Sequence, residues 1–143
     1  MQRRDLLRSS GPLVVAVLGG FGLAACREEP IRQPQRVAFG SPGLVGDRAD
    51  QIERAAAELG WATRVLAGPN PAAGPRGLIE VVNTRTGHNI VVHIGYDTDG
   101  FSIRYVSSEG LNFDGQQIHA HYNGQVEQLE RQISNVAREP TGR

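Results

Sequence analysis

The chain has one cysteine, Cys26, and one tryptophan among its 143 residues, and it has no lysine. A single cysteine excludes an intramolecular disulfide and any Cys-x-x-Cys metal or redox motif, so stability has to come from an apolar core. Without lysine, arginine supplies all 15 basic residues against 15 acidic ones. This bias reads as genomic base composition, with no concentrated positive face to hold phosphates; nucleic acid is therefore not an expected partner. No apolar run reaches the ~20 residues that a membrane span requires. The catalytic signatures are missing too. No nucleophile elbow surrounds Ser107 or Ser108, and Asp97 and Asp99 lack the further acidic positions of a calcium loop. No His-Glu-x-x-His spacing occurs and no Gly-rich phosphate loop is present, since Gly19, Gly20 and Gly22 fall in the apolar N-terminal stretch. The chain is expected to be non-enzymatic and to need no cofactor.

The N-terminus is informative. Arg3, Arg4 and Arg8 form a positive segment, and Pro12 to Ala25 is an apolar run of about fourteen residues. Leu23-Ala24-Ala25-Cys26 closes it. This is the layout of a secretory signal, too short to cross a bilayer. Leu-Ala-Ala-Cys resembles the lipobox of bacterial lipoproteins. That resemblance implies cleavage before Cys26, a diacylglyceryl group on its sulfur and acylation of the new amino terminus. Arg3-Arg4-Asp5-Leu6-Leu7-Arg8 also resembles a twin-arginine export signal, with general secretion as the alternative. Arg27, not aspartate, follows Cys26. By resemblance to enteric sorting preferences, this points to a periplasm-facing anchor in the outer membrane. Beyond residue 25 the chain has three fewer arginines and one fewer aspartate than the whole, a formal net charge of −2.

The domain boundaries follow from composition. Residues 1–25 are the expected signal. Residues 26–40, broken by Pro30 and Pro34, are an expected lipid-anchored flexible tether with a reach of at most about 46 Å at ~3.3 Å per residue. The alternative is that Val37-Ala38-Phe39 docks on the domain. Residues 41–139 form one globular domain, and 140–143 a tail. Asp47 is the expected N-cap of a first helix carrying Ile52, Ala55, Ala56 and Leu59, which stops at Gly60. Trp61 to Ala67 reads as a strand, followed by an irregular loop from Gly68 to Pro75.

Gly77 to Arg85, His88 to Tyr96 and Phe101 to Val106 read as consecutive strands of a meander. A turn at Thr86-Gly87 sets Val81 opposite Val92, and the loop at 97–100 sets Ile94 opposite Ile103. This register places Glu80, His93 and Arg104 in one row across three strands, on the face opposite the apolar positions. The row is a candidate binding face with Arg104 available to an anion. Leu78, Val82 and Val91 share it, so it also suits an apolar partner. The plain alternative is a solvated sheet face with compensated charges.

A loop from Ser107 to Gly115 leads to Ile118, Tyr122, Val126, Leu129, Ile133 and Val136. These mark an amphipathic helix of about twenty residues, ended by Glu139-Pro140. The whole reads as α+β: a two-layer sandwich of a three- to four-stranded antiparallel meander with a helix before and after it (α-β-β-β-β-α).

Ile103-Arg104-Tyr105, then Ser108, Leu111 and Phe113, then Ile118-His119-Ala120-His121-Tyr122-Asn123 resemble a family of small bacterial lipoproteins with no assigned activity. Its pattern is an Ile-x-Tyr strand, a Ser-x-x-Leu-x-aromatic loop and an Ile-His-x-x-Tyr-Asn motif opening the last helix. Gly60-Trp61 and His88 match further family positions. Gln125 stands where the family has an aromatic. The resemblance spans Asp47 to Val136 and implies the same two-layer fold without implying chemistry.

His119 and His121, with His88 or His93, are the residues a metal would use. At a helix start, positions i and i+2 diverge by about 200°, so no metal site is expected. His119 is expected to pack on the 107–114 loop and His121 to be exposed, while Tyr122 and Asn123 fix that loop through a hydroxyl and an amide. The functional expectation is an envelope lipoprotein, held at a membrane through Cys26, that binds or assembles with another envelope protein. The alternative is a small-ligand or metal-binding lipoprotein using the exposed sheet face.

Overall fold

The computed structural model describes residues 27–140, apart from 71, 73 and 75. Cys26 and the signal lie outside the described residues. The described residues form seven strands and two helices, in order: β1 (Glu28–Pro30), β2 (Val37–Ala38), α1 (Val45–Glu58), β3 (Ala62–Ala67), β4 (Gly77–Asn83), β5 (Ile90–Tyr96), β6 (Gly100–Ser107), β7 (Gln117–His119) and α2 (Ala120–Arg138). The main sheet is antiparallel with strand order β2-β6-β5-β4-β3, and β1 pairs with β7 in a second, two-stranded sheet. The fold is α+β, as the patterning implies.

Alternation along the strands explains the layers. Ile79, Val81, Ile90, Val92, Ile94, Phe101 and Ile103 are buried on one sheet face. They meet Ile52, Ala55 and Ala56 of α1 and Val126, Leu129, Ile133 and Val136 of α2 in a single core. The helices also pack on each other. Burying one Ile or Leu here stabilises the fold by about 1.5–3 kcal/mol relative to exposure.

Helix α1 starts earlier than expected. Leu44 is the N-cap, and Asp47 sits three residues in, where its carboxylate accepts the Leu44 N–H at 3.4 Å. Its end is a Schellman arrangement: Gly60 takes φ +78°, Gly60 N–H reaches the Ala57 carbonyl and Trp61 N–H reaches that of Ala56, both at 2.9 Å. Ile118 and His119, assigned from sequence to the start of the last helix, instead form β7, and α2 begins at Ala120.

The clearest departure is at residues 26–40. The stretch expected to be a tether is part of the fold from Glu28 onward. Glu28 pairs with His119, Glu29 with Ile118 and Pro30 with Gln117. Val37 and Ala38 extend the main sheet beside Phe101 and Gly100. Ile31 and Phe39 are buried. The docking alternative for Val37-Ala38-Phe39 is therefore the one observed. Isolated apolar residues between prolines carry no periodicity, so local pattern could not report partners sixty to ninety positions away.

Arg48 closes this strap. It is fully buried. Its Nε donates to the Thr98 carbonyl at 2.9 Å, Nη1 donates to Gln51 Oε1 at 2.9 Å, and Nη2 donates to the Ser41 carbonyl. The guanidinium lies 4.2 Å from the centre of the Phe39 ring. Burial lowers its pKa from the ordinary arginine value, opposed by Asp47 and Asp99.

Candidate functional site

Both helices cover one face of the main sheet, and among the described residues no helix lies over the other. The register on that uncovered face is the expected one: Glu80 opposite His93 and His93 opposite Arg104. The structure extends the row by one strand, because Arg64 of β3 stands opposite Glu80. Arg64 Nη2 donates to Glu80 Oε1 at 2.7 Å, and His93 Nε2 lies 3.2 Å from Glu80 Oε2. Both carboxylate oxygens are thus engaged. Arg64, and after it His93, hold the Glu80 carboxyl below the usual carboxylate range against a partial burial that opposes them. A carboxylate held this way stays ionised and is a poor general acid.

Arg104 is different. It is exposed, and among the described residues it has neither an ion pair nor a side-chain hydrogen bond. It flanks a shallow depression of about 350 Å³ lined by Pro34, Leu78, His93, Gly95, Ser102 and Arg104. Gly95 makes this depression. It sits mid-strand, opposite Ser102, and a Cβ added there would meet only Ser102 Oγ, at 4.0 Å. Glycine inside a strand weakens it and often marks a close approach by a ligand or another backbone. A second hollow of about 320 Å³ shares Gly95 and Ser102 and adds Arg36, Arg76 and Asp97. Asp97 already accepts from Arg36 Nη2 at 2.8 Å and from the N–H groups of Asp99 and Gly100. Arg36 first, and these N–H groups against some burial, pull its pKa down to about 2. Among the described residues, Arg76 and Arg104 therefore have no ion pair, and they flank two adjoining hollows that share Gly95 and Ser102. Half-buried Leu78 lines the depression, Val82 and Val91 pair on the same face beyond the Glu80/His93 row, and Val106 is exposed two positions beyond Arg104.

The residues of the lipoprotein-like motif gather elsewhere, at the end of the sheet beside the start of α2. Tyr105 is central. Its hydroxyl is 3.1 Å from Ser108 Oγ, its ring is 4.4 Å from that of Phe113, and Tyr122 meets it edge-on at 5.3 Å. Leu111 and Ile118 are buried, and the Leu111 carbonyl accepts the His119 N–H at 2.9 Å. Two expectations are corrected here. Asn123 does not fix the 107–114 loop; it holds residues 29–32. It donates to Glu29 Oε1 at 2.8 Å and to the Pro30 carbonyl at 2.9 Å, and it accepts the Arg32 N–H at 2.8 Å. Tyr122 contributes its ring edge to the aromatic cluster. Gln125 Oε1 accepts from the buried Asn83 amide at 3.1 Å.

His119 acts as the N-cap of α2, its Nδ1 accepting the His121 N–H at 3.1 Å. His121 is half-buried, not exposed, because its ring packs 5.3 Å from His88. Among the described residues, His121 Nε2 and His88 Nδ1 are buried without a partner. Burial lowers the His121 pKa, and His88 and His119 lower it further. Among the described residues, no three His, Cys, Asp or Glu side chains gather as a metal site. His93 belongs to the uncovered sheet face.

Arg64, Gly95, Ser102 and Arg76 are the site residues that sequence reading missed. The bulge between Val65 and Ala67 and the irregular loop after them hid the β3 register. Gly95 was legible, as a glycine in the outward phase of a strongly alternating strand. Among the described residues no helix is long and apolar enough to cross a membrane. No protein-family model, curated protein or solved structure matches the chain.

Proposed function

We propose that this chain is a non-enzymatic, lipid-anchored envelope module that binds an extended acidic segment of another envelope protein across its uncovered sheet face. One observation carries this reading: two adjoining hollows meet at Gly95 and Ser102, flanked by Arg104 and Arg76, which have no ion pair among the described residues. An extended segment laid there would place carboxylates near the arginines and alternate apolar side chains on Leu78, Val82 and Val91. Electrostatic complementarity of this kind sets specificity and association rate more than raw affinity. Anchoring through Cys26 would raise the local concentration, so a weak contact suffices.

The test is binding of a Glu/Val-alternating heptapeptide compared with its Lys/Val counterpart. The expected result is preference for the acidic peptide, lost in Arg104→Glu. Equal binding of both peptides, or binding unchanged by Arg104→Glu, contradicts the proposal. The Gly95 depression also favours a second reading, a small anionic ligand. Benzoate is a suitable probe: it should shift the amide resonances of Gly95 and Ser102, and Gly95→Val should remove that response.

A further inference from the structure

We infer that the end of the domain formed by Arg27, the first turn of α2 and the 108–116 loop rests directly on the lipid surface, with Phe113 in the headgroup layer. This rests on the reading of Cys26 as the lipid-attachment residue.

The chain is fixed from Arg27 onward. The Arg27 carbonyl accepts the Ala120 N–H at 2.9 Å, and Glu28 pairs with His119. The Ile31 N–H reaches the Gln116 carbonyl at 2.9 Å, and Asn123 clamps residues 29–32. Residue 26 is one peptide unit, about 3.8 Å between Cα atoms, from Arg27. A domain of this size has a radius of gyration of about 13 Å. An acyl group on Cys26 therefore leaves no slack for the domain to stand off or tumble freely.

What lies at that end fits an interface. His119, opposite Glu28, bonds to the Leu111 carbonyl, which brings the 108–116 loop beside the chain's exit point. Phe113 on that loop is 38% exposed, a large apolar side chain placed on a polar loop. Amphipathic and aromatic groups at this depth add to the anchoring of a lipid chain. The opposite end carries Asp47, Asp50, Asp97, Asp99 and Glu139. It is tied together by Arg48 bonding to Thr98 and by the cleft between the start of α1 and the end of α2. Glu28, Glu29, Glu109 and Asp114 stand at the membrane end as well, so the placement rests on the chain's exit point and on Phe113, not on charge. In this pose the sheet strands stand off the membrane and the uncovered face points sideways, open to a neighbour.

The test uses the full, processed chain in phosphatidylethanolamine/phosphatidylglycerol vesicles containing a headgroup spin-labelled lipid. Single cysteines at Phe113→Cys, Gln116→Cys and Asp99→Cys would carry an environment-sensitive fluorophore. The expected result is several-fold stronger quenching at 113 and 116 than at 99. Gln116 is exposed and bonds only through its backbone, so its result stands even if Phe113→Cys perturbs the loop. Equal quenching at all three positions in protein that floats with the vesicles overturns the inference while leaving the anchor intact. Protein with no acyl mass on Cys26 overturns the anchor reading and this inference with it.

Discussion

The Asn123 side chain accepts the backbone N–H of Arg32 at 2.8 Å, ninety-one positions away in sequence. The same amide donates to Pro30 and Glu29, and Arg32 adds an ion pair to Glu130 at 2.9 Å. One residue of α2 therefore holds the first described strand of the chain. Asn123→Ala leaves backbone groups without partners and should cost about 1–3 kcal/mol. Asn123→Asp should be at least as damaging, because a carboxylate would then face the Pro30 carbonyl and Glu29. Urea unfolding measures the cost, and faster tryptic cleavage after Arg27 or Arg32 localises it.

Arg48 joins the strap, α1 and the β5–β6 turn through three hydrogen bonds and the Phe39 ring. Arg48→Met keeps the apolar stem but strands two backbone carbonyls, an expected loss of about 2–4 kcal/mol. Arg48→Lys should recover little of it, since an ammonium lacks the planar fork that reaches all three acceptors. Chemical denaturation of both variants checks this ordering.

His121 and Asp97 mark the two ranges of the response to acid, and Glu80 and Asp114, whose carboxyls are also held below their ordinary values, act in the same range as Asp97. The folded pKa of His121 is depressed, so the unfolded chain binds its proton more readily. Its contribution is present above the unfolded value of about 6.5 and is lost as pH falls through the lower folded value. Asp97, at about 2 when folded, contributes above its ordinary value of 3.8 and loses that contribution between 3.8 and 2. The expected stability profile thus falls in two steps below neutrality. His121→Gln should flatten the first step alone, and Asp97→Asn should reduce the second, to which Glu80 and Asp114 also contribute, read from urea midpoints across pH.

The candidate face separates binding from stability. Arg64 is 70% exposed, so its pair with Glu80 is screened. Glu80→Gln should shift stability by no more than about 0.5 kcal/mol. It should also strengthen capture of acidic peptides, because a competing carboxylate is removed. Gly95→Val should be neutral or slightly stabilising, as a β-branched residue in a strand with open space above it. It should abolish benzoate binding. Melting curves and titrations on the same samples distinguish the two effects.

The sheet was readable from sequence because alternation is strict where one face is buried. Ile90, Val92, Ile94 and Tyr96 admit only one register against Ile79 and Val81, and that register alone aligns Glu80, His93 and Arg104. The observed β4–β5 connection, 84–89, is longer than a two-residue turn, yet the pairing is unchanged. Residues 28–39 were not readable, since Ile31 and Phe39 are single apolar residues whose burial depends on Asn123 and Arg48. Gly95 illustrates a third case. The sequence shows a missing side chain, and only the neighbouring Ser102 and Arg104 turn it into a groove.

The most direct measurement is photo-crosslinking in the cell, with the crosslinker placed at Arg64 or Val106 on the uncovered face and at Gln128 on the exposed side of α2. The expected result is one envelope protein captured from 64 and 106 through an acidic segment, absent from 128 and abolished by Arg104→Glu. Capture from 128 alone, or capture from all three positions that survives Arg104→Glu, would contradict the proposed binding face.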